Sequence, residues 1–243
     1  MNIHIFDSQQ KLNEAGAGII IGTVQTKPRA VLGLATGSTP TGIYEEVVRE
    51  YNRGLVSFRK ASSFNLDEYV GLPAGHQESY LVYMQEHLFN HIDMPQENIH
   101  IPDGTAADTD AECRRYDELL ADAGQLDLQL LGIGHNGHIG FNEPDHALLR
   151  NTHVVTLREE TLQANARFFN SMEEVPAQAL TMGIGAILKA KTILLVVRGA
   201  DKAEIIHKAL TGPITTEIPA SLLQTHPSLV VLMDAEAGRL FQS

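Results

Sequence analysis

Apolar positions along this chain gather into runs of strand length at residues 30–34, 62–66, 128–133, 193–197 and 229–233, of which 62–66 carries Ser62, Ser63 and Asn65 and 128–133 carries Gln129. Runs of that length without polar alternation read as strands buried on both faces. Between most of them lie segments with apolar residues at helical spacing, over 78–91, 109–123, 159–169 and 202–210, and Gly124, Gly212 and Pro213 supply stops. A further helix is expected to start near Thr41, and residues 1–6 to enter a first strand directly. Strands alternating with helices predict an α/β architecture, an open and mostly parallel sheet with helices on both faces. No repeat, low-complexity tract or long Pro/Gly/Ser linker divides the chain, so residues 1–243 are expected to form one domain. A short extended piece at 153–156 precedes the 159–169 helix, which makes the region around 150–175 a candidate flap.

The polar segments directly after the runs say more than the runs themselves. After 30–34 stands Ala35-Thr36-Gly37-Ser38-Thr39-Pro40; after 62–66, Asp67-Glu68-Tyr69; after 128–133, a glycine-studded loop with two histidines; after 193–197, Arg198-Gly199-Ala200-Asp201-Lys202. Ligands of open parallel sheets bind outside the carboxyl ends of the strands, so these four polar segments, distant in sequence, are expected to converge on one crevice.

The histidine loop carries the clearest chemistry. Gly132, Gly134, Gly137 and Gly140 let the backbone turn sharply, while Asn136 supplies an amide, His138 an imidazole that exchanges protons near neutral pH, and Glu143 a carboxylate to orient it. A metal held by His135, His138 and Glu143 is the competing reading, but the glycines deny the helical register of H-E-x-x-H and no further ligand cluster joins them, so no metal is expected. The Thr36–Pro40 segment joins a strand to a helix start and offers hydroxyls and backbone N–H groups to a phosphate, with Gly37, Ser38 and Thr39 as candidate contacts. It lacks the lysine of a P-loop and the glycine pattern of a dinucleotide site, which leaves a small sugar phosphate; the alternative is an ordinary helix cap by Ser38 or Thr39. Arg167 and Lys202 are placed to neutralise a phosphate dianion, against the alternative of solvated surface charges. Asp67 closes an apolar strand, where partial desolvation would raise its pKa toward that of a general base; a capping or salt-bridged aspartate is the plainer alternative.

Composition narrows the partners. Thirty acidic against 18 basic residues give a net charge of -12, and no basic patch interrupts it, so nucleic acid and anionic membranes are not expected partners. Cys113 is the only cysteine, which excludes an intrachain disulfide and a thiolate metal site. The first residues do not read as a leader, and no stretch approaches a membrane span, which points to a cytoplasmic protein.

Thr36-Gly37-Ser38-Thr39-Pro40, Phe64-Asn65-Leu66-Asp67-Glu68-Tyr69, Gly137-His138-Ile139-Gly140-Phe141-Asn142-Glu143-Pro144 and Ala166-Arg167-Phe168-Phe169 together resemble the glucosamine-6-phosphate deaminases, over nearly the whole chain. The resemblance implies a Rossmann-like deaminase/isomerase sugar-phosphate fold and conversion of glucosamine 6-phosphate to fructose 6-phosphate and ammonia, without metal or organic cofactor. It implies that Asp67 moves the proton between carbons 2 and 1, that His138 helps open the pyranose ring with Glu143 supporting it, and that Ser38, Thr39, Arg167 and Lys202 hold the phosphate. The allosteric members carry aspartate where this chain has Asn136, which cannot ionise, and a basic pair where it has His153 and Val155. The chain also closes at Ser243 without the longer tail of the hexameric members. Together these imply a simpler enzyme, not activated by N-acetylglucosamine 6-phosphate, and a monomer or small homo-oligomer. Two other readings compete. A 6-phosphogluconolactonase shares the G-H-x-x-x-G-H type of loop but expects Thr-Ala-Ser-Leu-Phe after the second histidine; a non-catalytic sugar-phosphate sensor needs the phosphate cradle but no proton relay.

Overall fold

The computed structural model describes residues 1–169 and 171–241; Asn170, inside the candidate flap, and Gln242 and Ser243, at the end of the expected domain, lie outside the described residues. A seven-stranded sheet is built from β1 (Asn2–Phe6), β2 (Val31–Leu34), β3 (Ser62–Asn65), β5 (Ile99–His100), β6 (Leu128–Leu131), β9 (Thr192–Val197) and β10 (Leu229–Asp234), in the order β1-β10-β9-β6-β2-β3-β5. Every pairing in it is parallel. All four residues of β2 and of β6 are buried, Gln129 among them, as are five of the six in β9, so both faces of the sheet are covered, as the apolar runs lead one to expect. The cover includes α1 (Gln9–Thr26), α2 (Thr41–Asn52), α4 (Thr109–Ala123), the single turn α6 (Ile184–Ile187) and α7 (Ala203–Thr211).

From β2 the chain winds outward through β3 to β5, then returns to lay β6 on the other side of β2. Strand order therefore reverses between β2 and β6, and the loops leaving those two strands diverge to open a crevice. These are the Thr36–Pro40 segment and the histidine loop.

A second sheet of three strands, β4 (Asp67–Tyr69), β8 (Gln178–Thr181) and β7 (His153–Thr156), is antiparallel throughout. Only its β7 strand is foretold by the sequence, as the extended piece at 153–156; β4 and β8 are not. Leu66 is the transfer point: its N–H donates to the Leu34 carbonyl in the large sheet (3.1 Å), whereas its own carbonyl accepts from the Met182 N–H (2.6 Å). Asp67 is thus the first residue on the far side of the junction.

Two expected helices are shorter than the periodicity suggests. The 78–91 segment starts as α3 (Tyr80–His87) because the Ser79 hydroxyl caps the Val82 N–H, and it breaks at Leu88, where φ reaches -142° and the side chain is buried. The 159–169 segment is α5 (Glu159–Asn165) followed by a 3-10 turn, Ala166–Phe168. Cys113 is buried on α4 with its thiol pushed up to about 11, chiefly by burial and then by neighbouring acids, so it is a poor nucleophile.

At the foot of the large sheet, opposite the crevice, Asp127 joins β2 to β6. Its Oδ2 accepts from the Val31 N–H (2.8 Å) and Lys27 Nζ (2.7 Å), and Oδ1 accepts from Lys191 Nζ (2.8 Å). Removing that carboxylate strands a buried N–H, whereas either lysine is about half exposed and regains water. Asp127→Ala is therefore expected to cost about 2 kcal/mol in urea unfolding, by loss of hydrogen bonds to a buried charge. Lys27→Ala or Lys191→Ala alone is expected to cost less than about 1 kcal/mol.

Candidate active site

A cavity of about 750 Å³ opens at the carboxyl ends of the strands, and residues from all four polar segments line it, among them Ser38, Asp67, His138 and Lys202. The expected convergence is observed.

Gly37 takes a φ of +98°, a conformation that a side chain would resist, and so turns the chain from β2 into α2. Its carbonyl accepts from the Tyr83 hydroxyl (2.7 Å) and from Thr41 Oγ1 (3.2 Å), which fixes the turn. No side chain caps α2, so the Ser38 and Thr39 hydroxyls are not spent as an ordinary helix cap. Arg167 Nη2 lies 3.4 Å from Ser38 Oγ, and its guanidinium rests 4.7 Å above the Phe168 ring. Lys202 Nζ donates to the Ile133 carbonyl (3.0 Å) at the start of α7. Burial lowers its pKa to about 8; Asp201 opposes the shift and the positive charge of Arg167 adds to it. Two cations from distant elements thus line the cavity into which the N-terminal segment of a helix also opens, an arrangement suited to a dianion.

Asp67 is 6% exposed and its pKa is raised from 3.8 to about 8, by burial first and then by Glu68. Glu68 is engaged elsewhere: its carboxylate accepts the N–H groups of Tyr69, Tyr80 and Leu81 and so closes the start of α3. Of two adjacent buried acids, only Asp67 faces the cavity.

In the histidine loop, the His138 ring presses against the backbone of Gly134, where a Cβ would lie 2.2 Å from His138 Cε1. A side chain at 134 would have to displace the imidazole. Glu143 Oε2 accepts from Asn136 Nδ2 (2.7 Å) and stands 3.4 Å from His138 Nδ1, within ion-pair range but outside hydrogen-bond alignment. Asn136 Oδ1 in turn accepts the His138 N–H (3.1 Å), so one amide holds both ends of the loop. The remaining oxygen of Glu143, Oε1, accepts from the Thr161 hydroxyl on α5. Burial would raise the Glu143 pKa, yet His138, Thr161 and Asn136 outweigh it and hold the carboxyl at about 2.

His135 takes no part in this group: its Nε2 pairs with Asp201 Oδ2 at 2.6 Å, away from Glu143. The two histidines and Glu143 therefore do not gather as a metal-ligand set would require. Thr161, the aromatic wall of Tyr69, Tyr80 and Phe141, and the His135–Asp201 pair were not singled out from sequence. Only Thr161 left a trace there, as a threonine in a short helix that favours other residues.

The profile of the family described as Glucosamine-6-phosphate isomerases/6-phosphogluconolactonase matches residues 7–231. The chain belongs to that family. Within it, the chain is 54% identical over 225 residues to the glucosamine-6-phosphate deaminase of Lachnoclostridium phytofermentans, covering 93% of this chain and 95% of that one. It is 45% identical to the deaminase of Clostridium perfringens over the full length of both. Among solved structures, a monomeric glucosamine-6-phosphate deaminase superposes with a TM-score of 0.96 at 48% identity, covering 99% of this chain and 100% of that one. A 6-phosphogluconolactonase from Thermotoga maritima superposes at 0.78 with 19% identity, over 96% of this chain and 99% of that one, a likeness of fold alone. The family thus joins the two activities that the sequence left in competition, and the high identities lie on the deaminase side. No helix among the described residues is long and apolar enough to cross a membrane.

The raised pKa of Asp67 has a thermodynamic signature. The native chain keeps a proton that the unfolded chain releases near 3.8, so stability falls as pH rises from that value through about 8. Asp67→Asn removes the effect. Its melting midpoint is expected to exceed that of the parent at pH 8 and to converge with it at pH 4; identical pH slopes for the two proteins would mean an ordinary carboxyl.

Proposed function

We propose that this protein converts glucosamine 6-phosphate and water to fructose 6-phosphate and ammonia. The observation that carries the reading is the lining of one cavity by two cations and uncapped hydroxyls together with a desolvated aspartate and an imidazole beside an ionised carboxylate. The family relationship and the named deaminases support the substrate.

The phosphate is held by the N–H and hydroxyl groups of Gly37, Ser38 and Thr39, by Arg167 and by Lys202. A dianion there favours the charged form of Lys202, which burial alone disfavours. Anchoring the phosphate fixes the sugar so that its first two carbons meet the other groups. His138 then carries the proton of the anomeric hydroxyl to the ring oxygen, which opens the pyranose to the aldehyde. Glu143 orients the imidazole and balances its charge when protonated; Asn136 holds both in place.

Asp67 removes the proton from carbon 2 and returns it to carbon 1, while a proton passes from the nitrogen to the aldehyde oxygen. Burial makes its carboxylate a stronger base than an exposed one, and a protonated amine on carbon 2 would favour ionisation at the moment of use. The nitrogen is left on carbon 2 as an imine; water adds there and ammonia departs, leaving the ketose. The steps are an isomerisation and a hydrolysis, with no net transfer of electrons.

On this reading the whole chain works as one sugar-phosphate domain, with the region around 150–175 as a flap that brings Arg167 to the phosphate. Likeness to a monomeric deaminase supports a monomer. His153 and Val155 lie on the edge strand β7 and supply no basic pair, which supports an enzyme without the effector response.

Chelator-treated protein is expected to release ammonia from glucosamine 6-phosphate at a rate unchanged by N-acetylglucosamine 6-phosphate. Asp67→Asn is expected to abolish exchange of the carbon 2 proton with solvent, by a factor of at least about 100, while glucose 6-phosphate still binds. Failure to release ammonia, with hydrolysis of 6-phosphogluconolactone instead, would move the assignment to the other branch of the family.

A further inference from the structure

Thr161 is 4% exposed and lies eighteen residues from the carboxylate it serves. Helical threonines in this protein ordinarily turn their hydroxyls back on their own helix: Thr23 donates to the Ile19 carbonyl, and Thr211 to that of His207. Thr161 instead donates across to Glu143 Oε1. The other oxygen, Oε2, already carries the Asn136 amide and faces His138. Without Thr161, Oε1 has no hydrogen-bond partner among the described residues, and Glu143 is only 8% exposed. A buried carboxylate with one oxygen unsatisfied either draws a proton or turns toward another donor, and both outcomes move it out of line with the imidazole.

The helix that carries Thr161 also carries the phosphate contact. Arg167 follows on the 3-10 turn that extends α5, and Arg158, just before α5, donates to the Pro144 carbonyl immediately beyond Glu143. One short segment is therefore fastened to the Glu143 loop at its start and reaches Ser38 at its end.

We infer that Thr161 is a positioning residue for ring opening: its hydroxyl fixes Glu143, and through it His138, while the same helix delivers Arg167 to the substrate phosphate. The inference rests on the deaminase reading. It implies that the relay carboxylate has its full set of donors only when the flap segment is seated, so phosphate capture and proton transfer are coupled through one helix.

Thr161→Val keeps the side-chain volume and removes the hydroxyl; Thr161→Ser keeps the hydroxyl. Ammonia release from glucosamine 6-phosphate is measured for both, alongside calorimetric binding of glucitol 6-phosphate, an open-chain sugar phosphate that needs no ring opening. The valine variant is expected to lose about tenfold in kcat, a fraction of what a full acid–base group contributes. Its KM and its glucitol 6-phosphate Kd are expected to stay within about threefold of the parent, and serine to restore kcat to within about threefold. An unchanged kcat in the valine variant overturns the inference. So does a loss seen as raised KM with weaker glucitol 6-phosphate binding, because Thr161 would then only anchor the helix that bears Arg167. A serine variant as slow as the valine one overturns it too. If valine prevents folding, judged by the melting transition, serine against alanine makes the same comparison. No ammonia from the unsubstituted protein overturns the deaminase reading itself, and this inference with it, before any variant is compared.

Discussion

The site depends on where the chain leaves one sheet for another. Leu66 gives its N–H to the parallel sheet and its carbonyl to the antiparallel one, so Asp67 emerges at a seam between the two. Across that seam stands β8, and one residue of it, Thr181, serves both flanks. It pairs with Asp67 on one side and His153 on the other, and its hydroxyl accepts the Phe141 N–H (3.0 Å). The next residue, Met182, takes the Asn142 amide on its carbonyl (2.9 Å). The aspartate and the histidine loop, more than sixty residues apart in sequence, are thereby referred to one short strand. Backbone ladders and buried hydrogen bonds of this kind leave little freedom for either to drift.

That frame lets two carboxyl groups in one cavity behave in opposite ways. Asp67 is buried with few partners and beside a second acid, so it holds its proton to about 8. Glu143 is nearly as buried but accepts from Asn136 and Thr161 and stands beside the His138 imidazole, so it is ionised down to about 2. The proposed function needs such a split, between a group that accepts a proton from carbon and one that stays charged beside an imidazole, and environment supplies it without any change of residue class. Glu68 illustrates the third option: burial raises its pKa, but its oxygens are occupied by the N–H groups at the start of α3. Position on the seam decides which of two neighbouring acids is free for chemistry.

Much of this was legible in the chain. Apolar runs locate five strands of the large sheet to within two residues at each end, most clearly 193–197 and 229–233, because a doubly covered parallel strand needs no regular polar alternation. The polar segments after four of them fall on one cavity for the topological reason that places ligands at strand ends. Of the small sheet only β7, the extended piece at 153–156, was legible. Gln178-Ala179-Leu180-Thr181 is four residues long with one polar residue at each end, and Asp67-Glu68-Tyr69 reads as a loop because two of its three side chains are charged. Both become strands through pairing with each other, a tertiary effect that local pattern does not carry. Thr161 was missed for a related reason: its partner is a side chain on another element, and no spacing rule points to it.

The role of asparagine at position 136 comes from the same electrostatics. Its Nδ2 lies 2.7 Å from a Glu143 oxygen that is ionised to about pH 2. An aspartate in the same pose would set two carboxylate oxygens at that distance, and one of the pair would have to bind a proton. The amide supplies the hydrogen that such a proton would otherwise provide, permanently and without charge, and its carbonyl meanwhile fixes the His138 N–H. The arrangement trades a titratable link for a fixed one. It keeps Glu143 a charged partner of the imidazole through the neutral range, tied by the Thr161 hydroxyl to the helix that follows.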